Sequence, residues 1–153
     1  MRHLILCLVG LVLVLSPALA QRQGLEGRML ALINEARAQG VRCAGGGLPA
    51  LRYSRALAIA AQHHANNMGQ QRFLSHYYQG VGPRARVIRV GYRYLRMSEI
   101  IFKGYGNDPR KAVRWWLRSP VHCRAIMNPH YRELGVGFSS LGGAWAVVLA
   151  QPR

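Results

Sequence analysis

Acidic residues are scarce in this chain: five Asp and Glu stand against 21 Lys and Arg, giving a formal net charge of +16. Lysine is nearly absent too, because only Lys103 and Lys111 interrupt an otherwise all-arginine set. No His-Glu-x-x-His pattern is present, which removes the commonest helical zinc-hydrolase signature. Helix-turn-helix, zinc-finger and RNA-binding signatures are also missing, so the charge does not point to a specific nucleic-acid target. Beyond the N-terminus no apolar run is long enough to cross a bilayer, and no internal repeat or low-complexity tract divides the chain. One compact domain is the expectation. Such a surface attracts polyanions, among them anionic lipid, lipopolysaccharide, acidic glycan and, non-specifically, nucleic acid. The plainer alternative is an arginine-rich surface that merely keeps the protein soluble.

What is present begins with a three-part N-terminus. Met1-Arg2-His3 is positive, Leu4 to Leu15 is apolar apart from Gly10, and Ser16-Pro17 breaks the run before Ala18-Leu19-Ala20. That order reads as a secretory signal over 1–20, cleaved after Ala20, leaving a mature domain over 21–153. An uncleaved anchor is the alternative, but the uncharged stretch 4–20 is shorter than the roughly 20 residues that span a bilayer, and it contains a proline. The expected location is outside the cytoplasm, periplasmic or extracellular. No membrane span is expected after cleavage, and the mature protein is expected to be a monomer.

Cys7 leaves with the signal, so Cys43 and Cys123 remain, and an even count in an oxidising compartment argues for a disulfide with one possible connectivity. Closing so long a loop contributes roughly 4 kcal/mol in the chain-entropy account. Two buried free thiols are the other reading.

Leu25, Met29, Leu32, Ile33 and Ala36 recur at helical spacing and Gly40 follows as a stop, predicting a first helix over 25–39. Ser54 caps a second helix, 55–70, whose apolar face is Leu57, Ala58, Ala61, Ala65 and Met68. Pro83 opens a short helix ending near Gly91, and 97–102 reads as a short strand. Asn107-Asp108-Pro109 and Ser119-Pro120 each start a helix with proline in its first position. Leu134, Val136 and Phe138 alternate with Glu133, Gly135 and Gly137 as in a half-buried strand, and 144–150 reads as a strand covered on both faces. Helices on a small, mostly antiparallel sheet satisfy these elements, an α+β fold.

With so few acids, each is informative. Glu26 and Glu35 fall on the exposed side of the first helix, and Asp108 serves as a cap. Glu99 and Glu133 remain, both on strand-like segments without a local reason to be there. Glu133 shares a strand face with Gly135 and Gly137, so that face is hollow beside a carboxylate. It is either a pocket wall or a place where a helix packs closely. His122 sits in the first turn of its helix, where unpaired N–H groups disfavour positive charge and keep the imidazole neutral. His63 and His64 point about 100° apart on one helix and read as surface and packing residues. His130 reads as solvated, and His76 follows a helix end in a polar loop.

The succession of segments resembles the CAP superfamily, or SCP-like domain: cysteine-rich secretory, antigen 5 and pathogenesis-related 1 proteins, with short bacterial members. The pieces that carry it are 32–37 (Leu-Ile-Asn-Glu-Ala-Arg), 64–68 (His-Ala-Asn-Asn-Met), 73–76 (Phe-Leu-Ser-His), 98–101 (Ser-Glu-Ile-Ile), 116–127 and 133–138 (Glu-Leu-Gly-Val-Gly-Phe). The resemblance implies a three-layer α-β-α sandwich with a cleft tetrad, onto which His76, Glu99, His122 and Glu133 map. It implies that such a tetrad can hold a divalent metal such as zinc, through His76 and His122 with Glu99 and Glu133, and it supports a Cys43–Cys123 bridge. Two departures stand out. Ile100 replaces an asparagine usual after the first glutamate, and Tyr77-Tyr78 makes the cleft mouth more aromatic.

The function expected from all this is a secreted, basic binding module for lipid, sterol or an anionic envelope or extracellular ligand. Enzymatic activity is not the favoured reading. Two alternatives stay open: a metal-dependent hydrolase using the His/Glu tetrad, and a cationic protein acting on membranes or envelopes.

Overall fold

A computed structural model describes residues 16–153; the apolar run of the proposed signal lies outside the described residues. The chain opens with α1 (Pro17–Gln39), which Gly40 ends in the left-handed conformation at φ 83°. The helix starts eight residues before its predicted first turn, with Pro17 in the initiating position. From Ala20 onward its buried side chains begin at Leu25, where the periodic stripe starts. A two-stranded ear follows, β1 (Gly40–Val41) against β2 (Ala44–Gly45), then the short β3 (Arg52–Tyr53).

Next come α2 (Arg55–Gln70) and α3 (Pro83–Arg89), then β4 (Tyr94–Lys103). Ser54 caps α2 by accepting from the Leu57 amide at 3.5 Å. α4 (Pro109–Arg118) is capped by Asp108, whose side chain accepts from the Arg110 amide. α5 (Pro120–Ile126), β5 (Glu133–Ser139) and β6 (Ala144–Pro152) complete the chain. β4 is ten residues long rather than the predicted six, because β6 pairs with it from end to end. Among the described residues no helix is long and apolar enough to cross a membrane.

The main sheet has the order β3-β5-β6-β4, with β3 parallel to β5 and the other pairs antiparallel. It lies between two helical layers, which makes the three-layer α-β-α sandwich expected from the sequence. The two sheet faces use different packing. One face carries Ile100, Leu134, Val136, Trp145, Val147 and Leu149, which interlock with large side chains of α1, α4 and α5. The other carries Ala144, Ala146, Val148 and Ala150 beneath the alanine side of α2. There α2 approaches so closely that a Cβ on Gly135 would meet the backbone of Ala58 at 2.1 Å, and one on Gly137 the backbone of Ala61 at 2.4 Å. The hollow beside Glu133 is therefore filled by helix backbone and forms no pocket.

α5 has only seven residues and is fixed at its middle and at its C-terminal end. The disulfide Cys43–Cys123, with Cα atoms 6.2 Å apart, ties it to the ear. Arg37, fully buried, donates to the carbonyls of Ile126 at 2.7 Å and Asn128 at 3.0 Å, and also to that of Pro49. A guanidinium at the C-terminal carbonyls of a helix complements its dipole.

Candidate functional site

β4 is an edge strand, and along its free side the two helical layers part. There a cavity of about 340 Å³ is lined by His76, Ser98, Glu99, His122, Arg124 and Asn128, among others. His76 comes from the loop between α2 and α3, and His122 from the first turn of α5. Glu99 comes from the middle of β4, where the register sets it opposite Val148 and turns it toward the α2 layer. Ser98 faces the other layer and shares a 2.7 Å hydrogen bond with the Tyr131 hydroxyl.

Glu99 is almost wholly buried, its side chain 1% exposed, and its charge is matched by an equally buried cation. Arg86 of α3, 5% exposed, donates from Nη2 to both carboxylate oxygens at 2.9 and 2.8 Å. His76 Nδ1 lies 2.9 Å from the same Oε1. The carboxylate oxygen accepts, so Nδ1 of His76 carries a proton and donates it to Glu99. The loop bearing His76 is pinned from below. Arg86 donates to the Val81 carbonyl at 2.8 Å and to the His76 carbonyl at 3.0 Å. His64, fully buried on α2, donates from Nε2 to the Ser75 carbonyl at 2.7 Å. Burial is the main reason the His64 imidazole is pushed below its usual range, so the ring stays neutral inside the fold.

His122 approaches from the opposite layer. Its Nδ1 is 2.8 Å from Ser119 Oγ, and its ring packs against Trp115 with centroids 5.0 Å apart. The His122 pKa is lowered first by burial and then by the charge of His76. The neutrality expected from the helix N-terminus is thus produced mainly by desolvation. Ser119, placed to cap α5, makes no cap bond and holds the imidazole instead.

Glu133 does not join this group. It lies on β5 with its side chain 20% exposed, where its Oε2 accepts from the Tyr92 hydroxyl at 2.8 Å and its Oε1 from Arg52 at 3.4 Å. Burial, followed by the bond to Glu133, raises the Tyr92 pKa. The structure brings together His76, Glu99 and His122 and leaves the fourth sequence-selected residue outside their cavity. Glu26 also departs from its expected exposed position: it is buried and accepts from the Tyr53 hydroxyl at 2.6 Å.

Sequence reasoning missed Arg86 and His64. Arg86 was one of five arginines crowding 84–96, and its only signal was its place beside the inward stripe Pro83, Val87 and Val90. His64 was assigned to packing, which is correct for its burial but omits its hold on the loop.

The donor set bears on metal binding. Among the described residues no three His, Cys, Asp or Glu side chains converge as ligands. Zinc centres take three or four protein ligands. Here only the two imidazoles are available to an ion, and Glu99 orients His76 from behind, as outer carboxylates do for metal-bound histidines.

The sequence pattern of the Cysteine-rich secretory protein family, CAP, matches residues 30–151. The Bacillus subtilis (strain 168) protein YkwD is 28% identical over 100 residues, covering 65% of this chain but only 38% of its own length. The chain therefore spans well under half of that relative. An extracellular SCP-domain protein of Bacillus anthracis str. Ames superposes with a TM-score of 0.77 at 22% identity, over 90% of this chain and 44% of that one. An outer surface protein of Borrelia burgdorferi superposes with a TM-score of 0.72 at 21% identity, over 83% of this chain and 92% of that one. Those two likenesses establish the fold, and the matched pattern extends from α1 into the last strand: the chain belongs to the Cysteine-rich secretory protein (CAP) family.

Proposed function

We propose that this protein is an exported binding module that holds an anionic group, such as the phosphate of a lipid or envelope component, between His76 and His122. The observation that carries this reading is the engagement of both Glu99 oxygens by Arg86 and His76. The cleft then offers oriented imidazoles and the exposed cation Arg124, but no free carboxylate to act as a base. Imidazole rings with one nitrogen committed to a protein partner keep the other for an incoming group. Export is supported by the three-part N-terminus and by relatives described as extracellular or outer-surface proteins. Cleavage after Ala20 removes the opening of α1 and keeps the packed stripe that runs from Leu25 through Met29, Ile33 and Ala36.

A divalent metal would be held here by His76 and His122 alone, fewer protein ligands than zinc centres use, and would supply Lewis-acid attraction for the same anion. A metal-dependent hydrolase would in addition need a base, and both candidate carboxylates are engaged elsewhere, Glu99 by Arg86 and Glu133 by Tyr92.

Glycerol 3-phosphate, titrated while the histidine ring resonances are followed by NMR, tests the reading. Saturable shifts of His76 and His122 are expected, and His122→Ala should abolish the His76 response. Anionic phosphatidylglycerol vesicles should retain the wild type in a salt-sensitive way. Absence of any saturable shift, or an unchanged response in the variant, removes the proposal.

A further inference from the structure

The two lysines of this arginine-dominated chain meet at one loop, at the far end of β4 from the histidine cleft. Lys103 ends the strand, and Lys111 reaches back from α4 to donate to the Tyr105 carbonyl at 3.4 Å. From Glu99 to Lys103 is four residues, about 13 Å along a strand. At this end lies a pocket of about 650 Å³, bounded by Arg72, Lys103, Tyr105 and Leu141 with Gly69 and Gly142 between them. That volume falls within the roughly 300–1,000 Å³ of small-ligand sites.

The pocket is built, and its floor is backbone. A Cβ on Gly69 would strike the Leu141 carbonyl at 2.4 Å, and one on Gly143 the Gly104 carbonyl at 1.7 Å. Gly142 and Gly143 take φ of 70° and 58°, conformations that glycine adopts freely. The last turn of α2, the turn at 141–143 and the loop at Gly104 are thereby locked against one another around an open trough. One side chain of its rim has no packing role in the fold. Tyr105 is 96% exposed, a large aromatic ring packed against almost nothing. Arg72, at φ 55°, is the left-handed residue that closes the C-terminus of α2, where the Phe73 amide donates to the Met68 carbonyl at 3.2 Å, and this turn sets its side chain at the rim.

We propose that this pocket is a second ligand site and that its ligand is an acidic sugar, a short glycan bearing carboxylate or sulfate groups. A flat backbone floor beside an exposed phenol ring suits the C–H face of a pyranose, with the hydroxyl groups left to the carbonyls and water. Arg72 and Lys103 place positive charge at the rim, and no acid lines the pocket. The nearby Asp108 is bound to Arg110 at 3.2 Å. Charge complementarity therefore selects an anionic sugar over a neutral one. A single aromatic platform suits one ring or two, whereas single-stranded nucleic acid is tracked by successive aromatic residues.

Isothermal titration of the mature protein with a heparin-derived tetrasaccharide, and with uncharged maltotetraose, tests this. Saturable binding of the acidic sugar alone is expected. Tyr105→Ala, which changes no charge, should weaken it about tenfold, and Arg72→Gln with Lys103→Gln at least as much. Arg93→Gln with Arg153→Gln removes the same charge at the opposite end of β4 and should stay within about twofold. His122→Ala should leave the sugar bound, so that failure of this site and failure of the histidine cleft give different results. Equal loss from both charge-removing pairs would reduce the binding to diffuse attraction. An unaffected Tyr105→Ala, loss in His122→Ala, or no saturable binding would each overturn the assignment.

Discussion

Glu99 and Glu133 lie on the same face of the same sheet, yet they sit in different physical worlds. In the register, Glu99 stands in the row of Val148 and Gly135, and Glu133 in the row of Ala150 and Met97. The rows are one two-residue step apart, about 7 Å, and the strands two positions apart, about 10 Å. Glu99 belongs to the edge strand, where the helical layers part and histidines from both can approach. Glu133 belongs to an interior strand whose glycines are covered by α2. The buried carboxylate has a buried guanidinium, whereas the half-buried one has a tyrosine and an arginine whose side chain is 76% exposed. A sheet edge makes a site of one carboxylate, and interior packing makes the other a local brace.

The largest effect that can break this comparison comes from Arg86→Met. Removing one partner of a buried ion pair leaves the other charged and desolvated, at a cost of about 3–5 kcal/mol. Urea unfolding at neutral pH should show that loss, together with displaced His76 resonances, because Arg86 also binds the His76 and Val81 carbonyls. A loss below about 1 kcal/mol, the range of an exposed pair, would mean that Glu99 is not a buried charge.

A smaller effect tests the covered row. Gly135→Ala would put a methyl group 2.1 Å from the Ala58 amide nitrogen, which is backbone and cannot rotate aside. Overpacking of this kind costs typically about 1–3 kcal/mol. A stability equal to the parent's would show that α2 has room to lift, and would reopen a pocket beside Glu133.

This glycine row also shows where sequence reading stops. Periodicity placed α2 and β5, a proline in the first helical position placed α3, α4 and α5, and an unbroken apolar run placed β6, because in each case local chemistry records the burial or the break. The disulfide followed from counting, and Glu99 and His122 from scarcity and position. A two-residue alternation gives the same signal whether the small face is empty or filled. Only the pairing of β5 with β6 and the descent of α2 decide it. The same holds for Arg86: an arginine among arginines becomes distinctive when the fold sets it 2.8 Å from a buried carboxylate. Charge composition describes the surface and is silent about the one cation turned inward at the cleft.

Glu133→Gln should have the smallest effect and gives the sharpest comparison. Glutamine keeps an acceptor for the Tyr92 hydroxyl and loses only the attraction to Arg52, a partly exposed pair worth about 1 kcal/mol or less. The Tyr92 phenol should then titrate at lower pH, because the neighbouring negative charge that helps raise its pKa is gone. The His76 and His122 resonances should stay where they are in the parent, since neither ring contacts Glu133 in the fold described. Spectrophotometric titration of tyrosine and a histidine NMR spectrum would read both outcomes from one variant. Were the histidine resonances to move instead, Glu133 would be coupled to the cleft after all, and the two carboxylates would have to be treated as one site.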